Sequence, residues 1–253
     1  MEREGLWCRA LFAMSAEHFL TWDYQFKLAD GTVKRFRIRL REPDLQLYLE
    51  PHGPLPDWTR LEHHQCANCP LSADQHTHCP VAVGLAEAIE SFRDCLSTER
   101  AEIVIRGENR EYRREAPLQY GVSSLMGLYM VTSGCPIMDK LRPMARTHLP
   151  FARIEETTYR LVSMYLMAQY FVQLHGGEPD WELRQLVGLC EAVGQVNQGF
   201  SRRLLSINPQ DASLNGLASL DCFTMSAAFA IDREQLSELA VMFRPYWEEA
   251  EDP

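Results

Sequence analysis

Trp22-Asp23-Tyr24-Gln25-Phe26-Lys27-Leu28-Ala29-Asp30-Gly31-Thr32-Val33-Lys34-Arg35-Phe36-Arg37-Ile38-Arg39-Leu40 alternates between apolar and polar residues on both sides of one interruption. Trp22, Tyr24, Phe26 and Leu28 fall on one face of an extended chain, and so do Phe36, Ile38 and Leu40. A period of two with turn residues between predicts an antiparallel hairpin with one buried face. The turn can be argued further. A two-residue Asp30-Gly31 loop would set Phe26 opposite Arg35 and mix the faces. A three-residue loop, Ala29-Asp30-Gly31, sets Phe26 opposite Lys34, Tyr24 opposite Phe36 and Trp22 opposite Ile38. That register requires Gly31 in the left-handed region. A third run, Leu45, Leu47 and Leu49, extends the expected meander.

Pro51 to Pro56 breaks the pattern and leads into a cysteine-rich loop. A helix is expected from Pro80, with Val81, Leu85, Ala88, Ile89 and Phe92 as its apolar stripe. Ile103-Val104-Ile105 is a short strand candidate, pairing with 111–114. Beyond Leu118 the chain reads helical over about 118–133, 138–146, 153–174, 181–206, 212–229 and 233–249. Asn208-Pro209 separates two of these helices. Asp232 with Gln235 is a candidate capping box for the last, and its acidic tail is expected to fray. The uncharged run Leu161 to Leu174 predicts a central buried helix. The expected class is α+β. Residues 1–115 form a small antiparallel sheet with a cysteine-rich metal loop and a helix. Residues 116–253 form a helical bundle packed against them as one globular unit.

At 253 residues the chain can bury a sizeable core. Its net charge of −10 argues against a nucleic-acid binder, which needs a basic footprint. Acidic residues at Glu2 and Glu4 and a break at Arg9 argue against a secretory leader. Ala116 to Met138 carries no charge but is too polar and too interrupted for a membrane span, and a buried core helix is the better reading. A cytoplasmic setting keeps thiols reduced, which favours metal binding or redox chemistry over structural disulfides.

Cys66-Ala67-Asn68-Cys69-Pro70 and His76-Thr77-His78-Cys79-Pro80 carry the clearest chemistry. A C-x2-C turn brings two sulfurs near one tetrahedral ion, and a third thiolate a short loop away can join them. The fourth ligand is expected to be Cys135, in Ser133-Gly134-Cys135-Pro136, with His78 as second choice and His64 and His76 behind it. Zn²⁺ is the expected occupant. A [4Fe–4S] cluster is the alternative that three Cys-Pro pairs favour. Cys8, Cys95, Cys190 and Cys222 lie in apolar or helical surroundings and read as core residues. No zinc-protease, phosphate-loop, dinucleotide or serine-hydrolase motif is present.

Two further groups stand out. His148, Glu155, Glu156 and Arg160 cluster at the start of the long apolar helix. Glu156 and Arg160 are spaced to pair on one face. They read first as ordinary helix-start charges, and second as acid/base groups beside the metal. Arg35, Arg37, Arg39 and Arg41 line the polar face of the second strand. They read first as a solvated edge-protecting row, and second as a contact for an acidic protein partner or the chain's own acidic end.

The motifs C-x2-C-P at Cys66, S-G-C-P at Ser133 and H-L-P-F at His148, with Glu156-Thr157 and Arg160, resemble a family of uncharacterised bacterial proteins grouped as a domain of unknown function. The likeness covers about Trp22 to Phe171. It implies a bacterial cytoplasmic protein and no particular activity. The residues themselves leave three expectations. The first is a metal-binding protein with a structural cysteine site and a binding or regulatory role. The second is a metal or iron–sulfur enzyme open near His148 and Glu155. The third is a thiol redox protein using Cys66 and Cys69. Substrate and oligomeric state are not legible.

Overall fold

The computed structural model describes residues 18–50, 53–207, 209–232 and 236–247. The N-terminal leader question, Cys8, Pro51, Asn208, Gln235 and the acidic tail lie outside them. The described chain is α+β. Five antiparallel strands form one sheet in the order β3-β2-β1-β4-β5: β1 Phe19–Leu28, β2 Val33–Arg41, β3 Gln46–Tyr48, β4 Arg100–Arg106 and β5 Glu111–Pro117. The helices are α1 Pro80–Ser91, α2 Leu118–Thr132, α3 Ile154–Leu174, α4 Arg184–Ser206, α5 Asp211–Asp232 and α6 Ser237–Ala240.

The first hairpin has the three-residue loop. Phe26 pairs with Lys34, Tyr24 with Phe36 and Trp22 with Ile38. The Leu28 amide donates to Thr32 at 2.9 Å, and Gly31 sits at φ +87°. A Cβ on Gly31 would meet nothing within 4 Å, so a Gly31→Ala change carries only the backbone cost of a left-handed alanine. That cost is expected to be about 1 kcal/mol, read as a lower denaturant midpoint at unchanged slope. An unchanged midpoint would show that the turn bears no conformational restraint.

The third run departs from expectation. Only Gln46 to Tyr48 forms strand, Leu45 lies buried at φ +59°, and Leu49 is exposed. The strand is short because its first apolar residue sits in a left-handed turn rather than in the ladder. Ile103 to Ile105 lie in β4 and pair with β5 as expected, and β4 also pairs with β1. The sheet therefore closes around β1, with α1 and α2 over its apolar face.

Helix α1 starts with Pro80 at its first position, and all five residues of its expected stripe are buried. The uncharged run after Pro117 is the central helix: α2 buries Leu118, Val122, Leu125, Met126 and Met130 among others. Each such side chain is worth about 1.5–3 kcal/mol relative to exposure. Helix α3 is not the central one. Its buried residues are a single stripe, Thr158, Leu161, Tyr165 and Gln169, while Met167, Tyr170, Phe171 and Leu174 are exposed. Lack of charge was a poor guide there, because burial is set by what packs alongside.

Helix boundaries also shift. Residues Met138–Thr147 form 3-10 turns around Pro143, which lacks the amide that a regular helix needs. Helix α4 begins at Arg184 because Asp180 accepts the amides of Arg184 and Gln185, after a left-handed Leu183. Asp232 is the last residue of α5. Beyond it, the described residues contain only the four-residue α6 and a 3-10 stretch, Val241–Tyr246, with Pro245 inside it.

Candidate metal centre

The cysteine loop leaves and rejoins the fold at one place. Leu61 N donates to Thr77 O, Cys79 N donates to Thr59 O, and Arg60 bridges His78. The excursion between is a closed loop pinned at its neck. Its C-x2-C turn is held by the Cys69 amide on the Cys66 carbonyl at 3.1 Å.

One face of α4 docks this loop. Asn68 Nδ2 donates to Ala192 O at 2.9 Å, and Cys66 Sγ lies 3.8 Å from Val196 O. Gly199 lies directly beneath Cys66. Arg203 reaches the loop neck, donating to the carbonyls of Trp58 (2.5 Å), Arg60 (2.6 Å) and Leu61 (3.2 Å). Positions 192, 196, 199 and 203 follow the helical repeat, so one stripe carries all four contacts. A Cβ on Gly199 would come within 2.6 Å of Cys66 Sγ and 3.0 Å of its Cα. Gly199→Ala is therefore expected to lift the loop at a cost of about 1–3 kcal/mol. Urea unfolding checks this, and a midpoint equal to wild type would mean that the loop yields freely.

Cys66, Cys69, Cys79 and Cys135 line a single small void with Arg203 and apolar residues including Leu61, Val81, Val196 and Phe200. Its volume is about 20 Å³ for the centre of a water molecule. The thiols come from three places: the loop, the residue preceding α1, and the turn after α2. Gly134, at φ +88°, makes that last turn, and Ser133 Oγ accepts the Cys135 amide. All four cysteines are free.

Burial, followed by the thiols of Cys79, Cys69 and Cys135, pushes the Cys66 thiol up to about 12, against the pull of Arg203. Burial also raises Cys135, opposed by the amides of Met138 and Ile137, which point at its sulfur. Arg203 is 2 % exposed, and no carboxylate pairs with it among the described residues. Burial disfavours its charge, and the sulfurs of Cys79, Cys66 and Cys69 favour it. The thiols surround the void rather than meet at one point. Among the described residues, no three His, Cys, Asp or Glu side chains are arranged to hold a single ion.

None of the described histidines lines this void. His78 Nδ1 lies 2.9 Å from Thr59 Oγ1, and His63 Nε2 lies 2.7 Å from Ser206 Oγ. The structure therefore gathers Cys135, not His78, with the loop cysteines. The sequence carried no hint of Arg203 or Gly199. Their spacing on one helix face becomes meaningful only once the loop is known to lie there.

His148, Glu155 and Arg160 are elsewhere. They line a separate cavity of about 820 Å³ that shares no residue with the cysteine void. His148 Nε2 lies 2.5 Å from Tyr24 Oη and 3.5 Å from Ser124 Oγ. Burial and then the Arg160 guanidinium hold its imidazole down at about 3, so it is neutral. Glu156 does not pair with Arg160; its carboxylate turns back to accept the Arg153 amide at 2.8 Å, capping α3.

The arginine row is largely engaged within the chain. Arg37 pairs with Asp23 at 2.6 Å, and Arg39 reaches Glu50 while stacking on Phe19 and Tyr48. No submicromolar binding to DNA or RNA is expected at about 150 mM salt, and anisotropy titration tests this. Tight binding with a steep salt slope would overturn the expectation. No helix of the described chain is long and apolar enough to cross a membrane.

No curated protein and no solved structure matches the chain. The family model described as "Domain of unknown function (DUF6901)" matches residues 22–244, well past the motif-bearing region and into the last described residues. With most of its length matched, the chain belongs to the DUF6901 family.

Proposed function

We propose that this is a metal-binding protein in which Cys66, Cys69, Cys79 and Cys135 hold one centre. The centre ties the cysteine loop to α1, to the end of α2 and to α4. Its role is structural, in a protein that binds or regulates. The observation that carries this reading is that four thiols from distant segments line one void beside a buried Arg203, with which no carboxylate pairs among the described residues. A buried cation without a counter-charge is costly. Neutral thiols do not neutralise it, whereas four thiolates around Zn²⁺ leave a net negative site that does. The Ile137 and Met138 amides suit the same charge. Free cysteines fit a reducing, cytoplasmic setting.

Zn²⁺ is the simplest occupant. A [4Fe–4S] cluster is the alternative, and it rests on the three Cys-Pro pairs, because a void of about 20 Å³ is on the scale of a single water. The enzyme reading has less support, since His148 and Glu155 line another cavity. Thiol redox has less as well, because reactive cysteines sit in surroundings that lower their pKa, not in ones that raise it.

Elemental analysis and absorption spectroscopy on anaerobically purified protein test the reading. Stoichiometric zinc in a colourless protein supports the first occupant. Equal iron and acid-labile sulfide with broad visible absorption support the second. Protein that carries neither metal and takes up neither on reconstitution would overturn the proposal.

A further inference from the structure

The larger cavity has the size of a small-molecule site, about 820 Å³ against a usual range of roughly 300–1,000 Å³. It lies among α2, α3, α4, α5 and the 3-10 segment that ends at Thr147. Its walls are mainly apolar, and several of its polar groups are already committed. Ser124 and His148 bond with Tyr24, and Ser219 and Thr224 donate to carbonyls of their own helix. Asn215 donates to Ser97 and Asp211.

Arg160 is only partly engaged. Its Nη2 donates to Met144 O at 3.0 Å, but its Nε is buried without a partner. Glu156, the acid spaced to pair with it, is engaged at the helix start. Three arginines (Arg114, Arg153 and Arg160) line the cavity against one acid, Glu155. Arg153 is exposed, and Arg114 stacks on Tyr120 and Phe151.

We propose that this cavity binds an aliphatic carboxylate, its headgroup on Arg160 and its chain among Leu128, Val131, Leu189, Val193 and Leu220. A partly buried guanidinium among mainly apolar walls, with three arginines against one acid among the described lining residues, matches a single negative charge on a hydrocarbon tail. A neutral His148 adds no competing cation. Burial disfavours the Arg160 charge against the pull of Tyr112 and Glu156, and a bound carboxylate would favour it further. The site is independent of the cysteine centre, so either reading can fail alone.

Calorimetric titration of the full chain with decanoate and with decan-1-ol tests this. Decanoate is expected to bind about 10- to 100-fold more tightly than the alcohol, the usual worth of a charge-assisted bond. Arg160→Met should abolish that preference while leaving decan-1-ol binding intact, which also reports that the variant folds. Arg160→Lys should keep part of the preference, and Val131→Trp, which fills the chamber, should weaken both ligands. Should Arg160→Met fail to fold, the wild-type and Arg160→Lys titrations decide the matter. Absence of decanoate binding, equal affinity for acid and alcohol, or a preference that survives Arg160→Met would overturn the proposal.

Discussion

Cys135→Ser is expected to remove most of the bound metal and to lower the melting temperature by about 10 °C. Metal binding to a site absent from the unfolded chain is folding free energy. Losing about 3–5 kcal/mol of it in a chain of this size corresponds to that shift. Cys135 is the farthest of the four in sequence, yet it lines the void with the others and receives the amides of Ile137 and Met138. His78→Ala is the control. Its ring faces Thr59, so metal content should stay near wild type. The opposite pattern, with metal lost in His78→Ala and kept in Cys135→Ser, would mean that the fourth ligand is misassigned.

Arg203→Met is expected to destabilise the protein by about 3–5 kcal/mol. Methionine matches much of the side-chain volume but donates nothing. The carbonyls of Trp58, Arg60 and Leu61 would each lose a donor, at about 1–3 kcal/mol for every group left unsatisfied. The loop neck would lose its anchor to α4. A second readout separates the charge from the hydrogen bonds. If Arg203 neutralises a thiolate centre, the penalty should be larger in metal-loaded protein than after chelation, because uncharged thiols need no cation beside them. Denaturant unfolding of both forms measures this. A variant that melts within about 2 °C of wild type would remove Arg203 from the account, and an equal penalty in both forms would remove its electrostatic part.

The two sites were legible to different degrees. The cysteines stood out because C-x2-C and Cys-Pro pairs are local patterns, and Gly134 marked a turn that could aim Cys135. The Glu156–Arg160 pair was also a local pattern, but it did not form. A capping contact to the Arg153 amide satisfies a helix-end donor that would otherwise be unpaired, and it took the carboxylate first. That competition leaves Arg160 at the cavity wall with no ion pair among the described residues, its Nη2 on Met144 O.

What the sequence determined by itself was whatever short-range geometry dictates. The alternation from Trp22 to Leu40 and a single glycine set the hairpin register. Pro80 set a helix start, and the cysteine spacing set a turn. Tertiary structure alone decided that β4 joins β1 and that α3, despite its uncharged run, is not the central helix. It also decided that Ala192, Val196, Gly199 and Arg203 form the bed of the cysteine loop. The reason is physical. Turn, strand and helix periods follow from bonds between near neighbours, whereas burial, charge neutralisation and cavity shape depend on which distant surfaces meet. An uncharged helix, a lone arginine and a glycine each fit several such meetings, and only the packed chain selects one.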